Sequence, residues 1–154
     1  MPDISNYEPY APNARGFTEA LIDLKSTMAI GVHYGLTGFI APAFEAVSQG
    51  QALYSRTSDG QVGLAFANGT LEQATVIGFA QTSKAPGQLV RVLTTGALAS
   101  TGLDAGDIYY LSAGTPGSIT TTPPATAGHY VTRVGEANTS ASLIVQLEPP
   151  ILLS

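Results

Sequence analysis

The chain has 154 residues, 44% of them apolar and only 11% charged, with a formal net charge of −5 and no cysteine. That length fits one ordinary domain with an arm, and the apolar content is enough to build a core. The composition excludes disorder of the body, disulfides, thiolate metal sites and a cysteine nucleophile. The six cations, Arg15, Lys25, Arg56, Lys84, Arg91 and Arg133, are scattered, whereas nucleic acid binding needs them clustered. No run approaches the roughly 20 apolar residues of a membrane-spanning helix, so neither nucleic acid nor membrane is expected as a partner. A surface this poor in charge favours assembly with other chains.

In chain order, residues 1–16 (MPDISNYEPYAPNARG) carry prolines, Asn and Gly without a period, and they lack the basic start and apolar run of a secretory signal. They read as an extended arm. In FTEALIDLKSTM, Phe17, Leu21, Leu24 and Met28 fall on one face of a short helix that Thr18 can N-cap. A helix this short is marginal alone and needs a surface to lie on. Residues 1–42 are therefore expected to form an N-terminal arm. Tyr7, Tyr10, Phe17, Leu21 and Leu24 are the candidate anchors for a partner, because buried aromatic and apolar side chains dominate interface energy.

From Phe39 the texture changes to short apolar or alternating runs punctuated by Gly, Pro, Ser, Asp and Asn. Strands are predicted over 43–47, 52–56, 62–67, 74–82, 88–94, 108–112, 117–122, 129–137 and 142–148. Many short strands with turn signals between them indicate an all-β fold, a small antiparallel barrel or sandwich over 43–150, with 151–154 left as a tail.

An internal repeat organises these strands. At an offset of 57, ALYSRTSDGQVGLA (52–65) meets YYLSAGTPGSITTT (109–122), Val62 meets Ile119, and VIGFA (76–80) meets RVGEA (133–137). QLVRV then meets SLIVQL if two residues are dropped from the intervening loop. Each module reads as strand, tight turn, strand, loop, glycine-bearing strand, loop and apolar strand. Two modules closing on each other would remove exposed edge strands. Asp104 and Asp107 in LDAGD correspond to SQGQ of the first module, which shares the glycine but has no carboxylate. They are turn residues on this reading, not a catalytic pair.

No catalytic constellation emerges. His33 and His129 are the two histidines, and neither has a G-x-S-x-G elbow or a metal-ligand spacing beside it. TGLDAGD and GTPGS lack the lysine of a phosphate cradle. Tyr54, Tyr109, Tyr110 and Tyr130 could bind sugars if exposed, but they align with a mixture of Tyr and Leu, as core or subunit-contact residues would. No enzyme activity, cofactor or metal is expected.

The segment GLDAGDIYYLSAGTPGSITTTPPATAGHYVTRVGEANTSASLIVQLEPP resembles the trimeric decoration, or cement, proteins of tailed-bacteriophage capsids. The elements that carry the likeness are the A-G-D lead-in (105–107), the Y-L-S strand (110–112) and the G-x-I-T-T-T-P-P hairpin (117–124). The G-x-Y-V-x-x-V-G-x-A strand (128–137) and the final Ile/Val strand (142–147) complete it. The repeat carries the resemblance back to about residue 43. It implies a homotrimer on the outer surface of the virion, made in the host cytoplasm. The partner would be the major capsid protein where its capsomers meet. The alternative is a tail-tip or fibre module that binds a host receptor through exposed loops, with Asn68 or Asn138 as candidates.

Overall fold

The computed structural model describes residues 37–154; the arm, its expected helix and the anchors Tyr7, Tyr10, Phe17, Leu21 and Leu24 lie outside the described residues. Among the described residues the fold is all-β, with antiparallel sheets stacked as a sandwich. Sheet one contains β1 (Gly38–Pro42), β2 (Ala52–Ser55), β3 (Val62–Leu64), β4 (Gly78–Ala80) and β5 (Leu89–Leu93), in the order β1-β5-β4-β2-β3. Sheet two contains β6 (Gly96–Ala99), β7 (Ile108–Leu111), β8 (Ile119–Thr120), β10 (Arg133–Thr139) and β11 (Ser142–Val145), in the order β6-β11-β10-β7-β8. A two-stranded ribbon pairs β9 (Tyr130–Val131) with β12 (Ile151–Leu152). One helical turn, α1 (Leu71–Ala74), is closed by a Thr70–Gln73 capping box, which satisfies two N-terminal amides reciprocally.

Several boundaries differ from the sequence reading. Residues 38–42, grouped with the arm, form β1 and pair along their whole length with β5. Residues 43–47 are not a strand; Ala43 and Val47 make isolated bridges to Val62 and Lys84. β6 went unpredicted because Gly-Ala-Leu-Ala carries little β propensity of its own; β11 organises it by pairing Leu98 with Leu143. The tail 151–154 supplies β12. The predicted strand 129–137 is split at Thr132, whose buried hydroxyl donates to Ala74 O at 2.8 Å. The barrel is not closed, because the edges of sheet one touch only at the Ala43–Val62 bridge.

The two modules match bond for bond. Gly50, at φ 89°, donates its N–H to Ala80 O (2.8 Å), and Gly106, at φ 93°, donates to Ala137 O (2.7 Å). The return bonds run from Ala80 N to Gln51 O (2.9 Å) and from Ala137 N to Asp107 O (3.0 Å). Each turn is closed alike, by Gln51 N to Ser48 O and by Asp107 N to Asp104 O, both 3.1 Å. A left-handed φ explains why glycine stands at both turns.

Register corrects the sequence alignment in two places. Leu53 pairs with Gly78 and Tyr109 with Gly135, so Leu53 matches Tyr109 and Tyr54 matches Tyr110, an offset of 56. The offset of 57 holds only from Val62 onward, because the second hairpin is one residue longer. Ala80 pairs with Val92 and Ala137 with Leu143, so the last strands match at an offset of 51. The loop before them is shorter in module two by six residues, not two.

With this register the packing becomes clear. Leu53, Ala80, Val90 and Val92 lie on one face of sheet one and pack with Ala41, Ala43, Val47 and Val62. The opposite face contributes Ala52, Tyr54, Phe79 and Leu93 to the central core, where they join Leu98, Tyr109, Leu111, Ala137, Leu143 and Val145 of sheet two. The equivalents of Leu53, Ala80 and Val92 are therefore Tyr109, Ala137 and Leu143, which face the neighbouring module. The modules stack front to back. The second module's other face is left outward.

Candidate interaction surfaces

Four features of the described residues bear on chemistry or contact. The first is the polar corner around Tyr54. Tyr54 meets Phe44 edge-on, with ring centroids 5.9 Å apart and planes at 75°, and the Arg56 guanidinium covers the Phe44 ring at 3.9 Å. A concavity of about 270 Å³ beside it is lined by Tyr54, Arg56, Thr57, Ser58, Thr70, Glu72 and Gln73. Several of its polar groups are engaged with neighbours. Glu72 Oε2 accepts from Thr57 N at 2.6 Å, Gln73 and Thr70 cap α1, and Arg56 Nε donates to Asp59 Oδ1 at 3.2 Å. Burial pushes the Tyr54 phenol up, away from ionisation at neutral pH. Hydrogen bonding to Arg56 holds the Asp59 carboxyl below its usual value. The corner fastens a hairpin to a loop.

The second feature is the set of titratable residues singled out in the sequence. His33 lies outside the described residues. His129 is half-buried, and its backbone bonds Thr126 and Leu153. Asp104 and Asp107 sit on one exposed turn, where the backbone N–H of Asp104 donates to Tyr109 Oη at 3.0 Å. Among the described residues no group of three His, Cys, Asp or Glu is arranged to hold a metal, and no helix is long and apolar enough to cross a membrane. Of the four tyrosines, Tyr54 and Tyr109 are buried in the central core, while Tyr110 and Tyr130 are half-buried. Asn68 and Asn138 are exposed on separate loops.

The third feature is the outward face of sheet two. Cross-strand pairing puts Ala97, Ile144, Glu136 and Ile108 in one row, with Tyr110 two residues along from Ile108. A shallow concavity of about 340 Å³ lies over this row, lined by Gly106, Glu136, Ala137, Asn138, Ile144 and Gln146. The fourth is a set of large exposed apolar side chains, Phe39, Ile40 and Leu89 on β1 and β5 and Ile151 and Leu152 on β12. Sequence reasoning missed all five. Their only signal is apolar character, and exposure depends on which neighbours arrive.

No protein-family model matches this chain, and no curated protein matches its sequence. The class defined by the fold is an all-β sandwich of two tandem modules.

Proposed function

We propose that this chain is a structural, non-catalytic virion component, a decoration protein that binds the outside of a phage head and stabilises the shell. The observation that carries the reading is the likeness of residues 102–150 to capsid cement proteins. The elements of that likeness coincide with the turns and strands of module two: the Gly106 turn, β7, β8, β9–β10 and β11. Low charge and exposed apolar side chains on several strands support a protein that works by contact. The partners in this reading are the major capsid protein and further copies of the same chain in a homotrimer. Residues 1–45, with Tyr7, Tyr10, Phe17, Leu21 and Leu24 as anchors, supply the shell contact. Many weak sites on one shell add by multivalency.

Co-sedimentation with capsids stripped of this protein tests the proposal. Saturation at a fixed ratio to the shell protein is the expected result, and removal of residues 1–16 is expected to weaken it without unfolding the sandwich. A chain that ignores capsids but binds host cells would replace this reading with a receptor-binding one.

A further inference from the structure

The dipeptide Asn-Gly in a β-rich chain ordinarily marks a two-residue hairpin turn, in which both residues take up a left-handed backbone. Asn68–Gly69 does not fit that explanation. It joins β3 to α1 rather than two paired strands, and Gly69 has no left-handed φ. Crowding is what keeps a glycine there. A Cβ on Gly69 would run into Gln73 Oε1 and would stand 3.0 Å from Gln73 Cδ and 3.2 Å from its Cβ. Gln73 Oε1 cannot withdraw freely, because it accepts from Thr70 N at 2.9 Å in the capping box of α1.

This neighbour has a chemical consequence for Asn68. Asparagine is one of the thermolabile side chains, and it is consumed when the backbone nitrogen of the next residue attacks its side-chain carbonyl carbon. A side chain on that next residue obstructs the approach, and glycine has none. Of the four asparagines, Asn6, Asn13, Asn68 and Asn138, only Asn68 precedes a glycine. Asn68 is exposed and Gly69 partly so, in a turn outside the strands. Asn138 is also exposed, but it precedes the β-branched Thr139 and lies within β10, between Ala137 and Thr139 of the ladder to β11. The Asp59–Gly60 pair is tied down. Gly60 N donates to Arg56 O at 2.7 Å, and Asp59 Oδ1 accepts from Gln61 N and Arg56 Nε.

We propose that Asn68 is a self-modification site, converting to aspartate and isoaspartate with water as co-reactant, and that the conversion loosens the seam between the two modules. Gly69 N gives its proton to solvent and bonds to Asn68 Cγ. The bond from Cγ to the amide nitrogen breaks, and ammonia leaves. The succinimide ring then takes up a water. Opening at Cγ leaves aspartate, and opening at the main-chain carbonyl leaves isoaspartate, with an extra methylene in the backbone. Nothing is oxidised or reduced. The altered segment is stitched on both sides. Ala67 N donates to Ser112 O at 3.1 Å and Ala67 O accepts from Tyr130 N at 2.8 Å, both in module two. Past Thr70, the Thr132 hydroxyl donates to Ala74 O, the last residue of α1. A longer backbone between these held points must displace one of them. The inference does not rest on the capsid reading.

The test uses the full chain, aged at mildly alkaline pH and then cut with trypsin after Arg56, Lys84 and Arg133. Fragment 57–84 contains Asn68 as its only asparagine, and fragment 134–154 contains Asn138. The expected result is that 57–84 gains the mass of an NH2-to-OH exchange at residue 68 and splits into aspartyl and isoaspartyl forms. Its rate should rise in proportion to hydroxide, with ammonia released in step, while 134–154 stays unmodified. Isomerisation at Asp59 leaves the mass unchanged, so the two events are separable. Converted chain, isolated by anion exchange through its added negative charge, is expected to unfold at lower urea than fresh chain. Asn68→Gln should abolish both changes, with far-UV circular dichroism reporting an intact sandwich. A mass shift seen only in the urea-unfolded chain overturns the proposal, because the fold then shields Asn68. Equal conversion of both fragments, or a shift that persists in Asn68→Gln, overturns it as well. An unaltered urea midpoint in the converted chain overturns the effect on the seam.

Discussion

Module one and module two share turns, register and glycine positions, yet they use their sheets differently. In module one both faces of the central strands are buried: Ala52, Leu53 and Tyr54 on β2, and Phe79 and Ala80 on β4. In module two only one face is buried, and the equivalents of Ala52, Phe79, Leu93 and Tyr54 are Ile108, Glu136, Ile144 and Tyr110, all exposed or half-buried. Strand pairing is therefore set by backbone features the modules share. Face usage is set by position in the stack. A duplicated module placed inside becomes a two-sided wall, and its twin at the outside leaves one face exposed among the described residues.

The sharpest way to break this comparison is to remove a large side chain at one matched position and compare its twin. Phe79→Ala deletes a fully buried ring from the central core and is expected to cost about 3–5 kcal/mol. Glu136→Ala, at the equivalent exposed site, should stay within about 0.5 kcal/mol. Urea unfolding monitored by tyrosine fluorescence measures both. Similar costs would mean the two faces are not used differently.

A smaller effect tests what the modules share. A Cβ on Gly78 would meet Leu93 O at 2.5 Å, and one on Gly135 would run into Ile144 O, the equivalent atom of module two. Gly78→Ala and Gly135→Ala should each cost about 1–3 kcal/mol through forced displacement of the neighbouring strand. Equal costs support a common backbone rule, and a neutral result at either glycine counts against it.

The smallest effect concerns the hairpins, which differ by one residue. Only the first carries the Arg56–Asp59 pair, on a turn where both groups are solvent-facing. Because the folded carboxyl titrates below its unfolded value, the pair contributes fully above the unfolded value, about pH 4. That contribution is lost as pH falls through the folded value. Asp59→Asn should flatten a small acid-side decline in melting temperature and leave neutral pH almost unchanged, as expected for an exposed pair. An unchanged acid limb in the variant would remove this role.

Much of this architecture was legible in the chain itself. Short apolar runs between Gly, Pro and Asp fixed an all-β fold, and the glycines of SQGQ and LDAGD marked equivalent turns, because left-handed backbone selects glycine locally. The mixture of Tyr and Leu in the repeat assigned Tyr54, Tyr109, Tyr110 and Tyr130 alike to core or subunit contact; Tyr54 and Tyr109 are buried, whereas Tyr110 and Tyr130 are half-buried. What sequence alone misjudged was register. Alternation has a period of two, so a slip of one residue moves every side chain to the other face, and the alignment that paired Leu53 with Tyr110 made that slip. Only the ladder between β10 and β7, with Tyr109 opposite Gly135, resolves it.

The strand β6 and the edge positions of β6 and β12 belong to the same category. Gly-Ala-Leu-Ala becomes a strand because β11 is beside it, and it lies at an edge because β11 is its one partner among the described strands. The sequence by itself determined the class of fold, the duplicated module and the positions of its turns, since these follow from local backbone chemistry and period. Tertiary structure decided which face of each module is buried and which strands lie at sheet edges, since burial and edge status depend on neighbours that are distant in the chain.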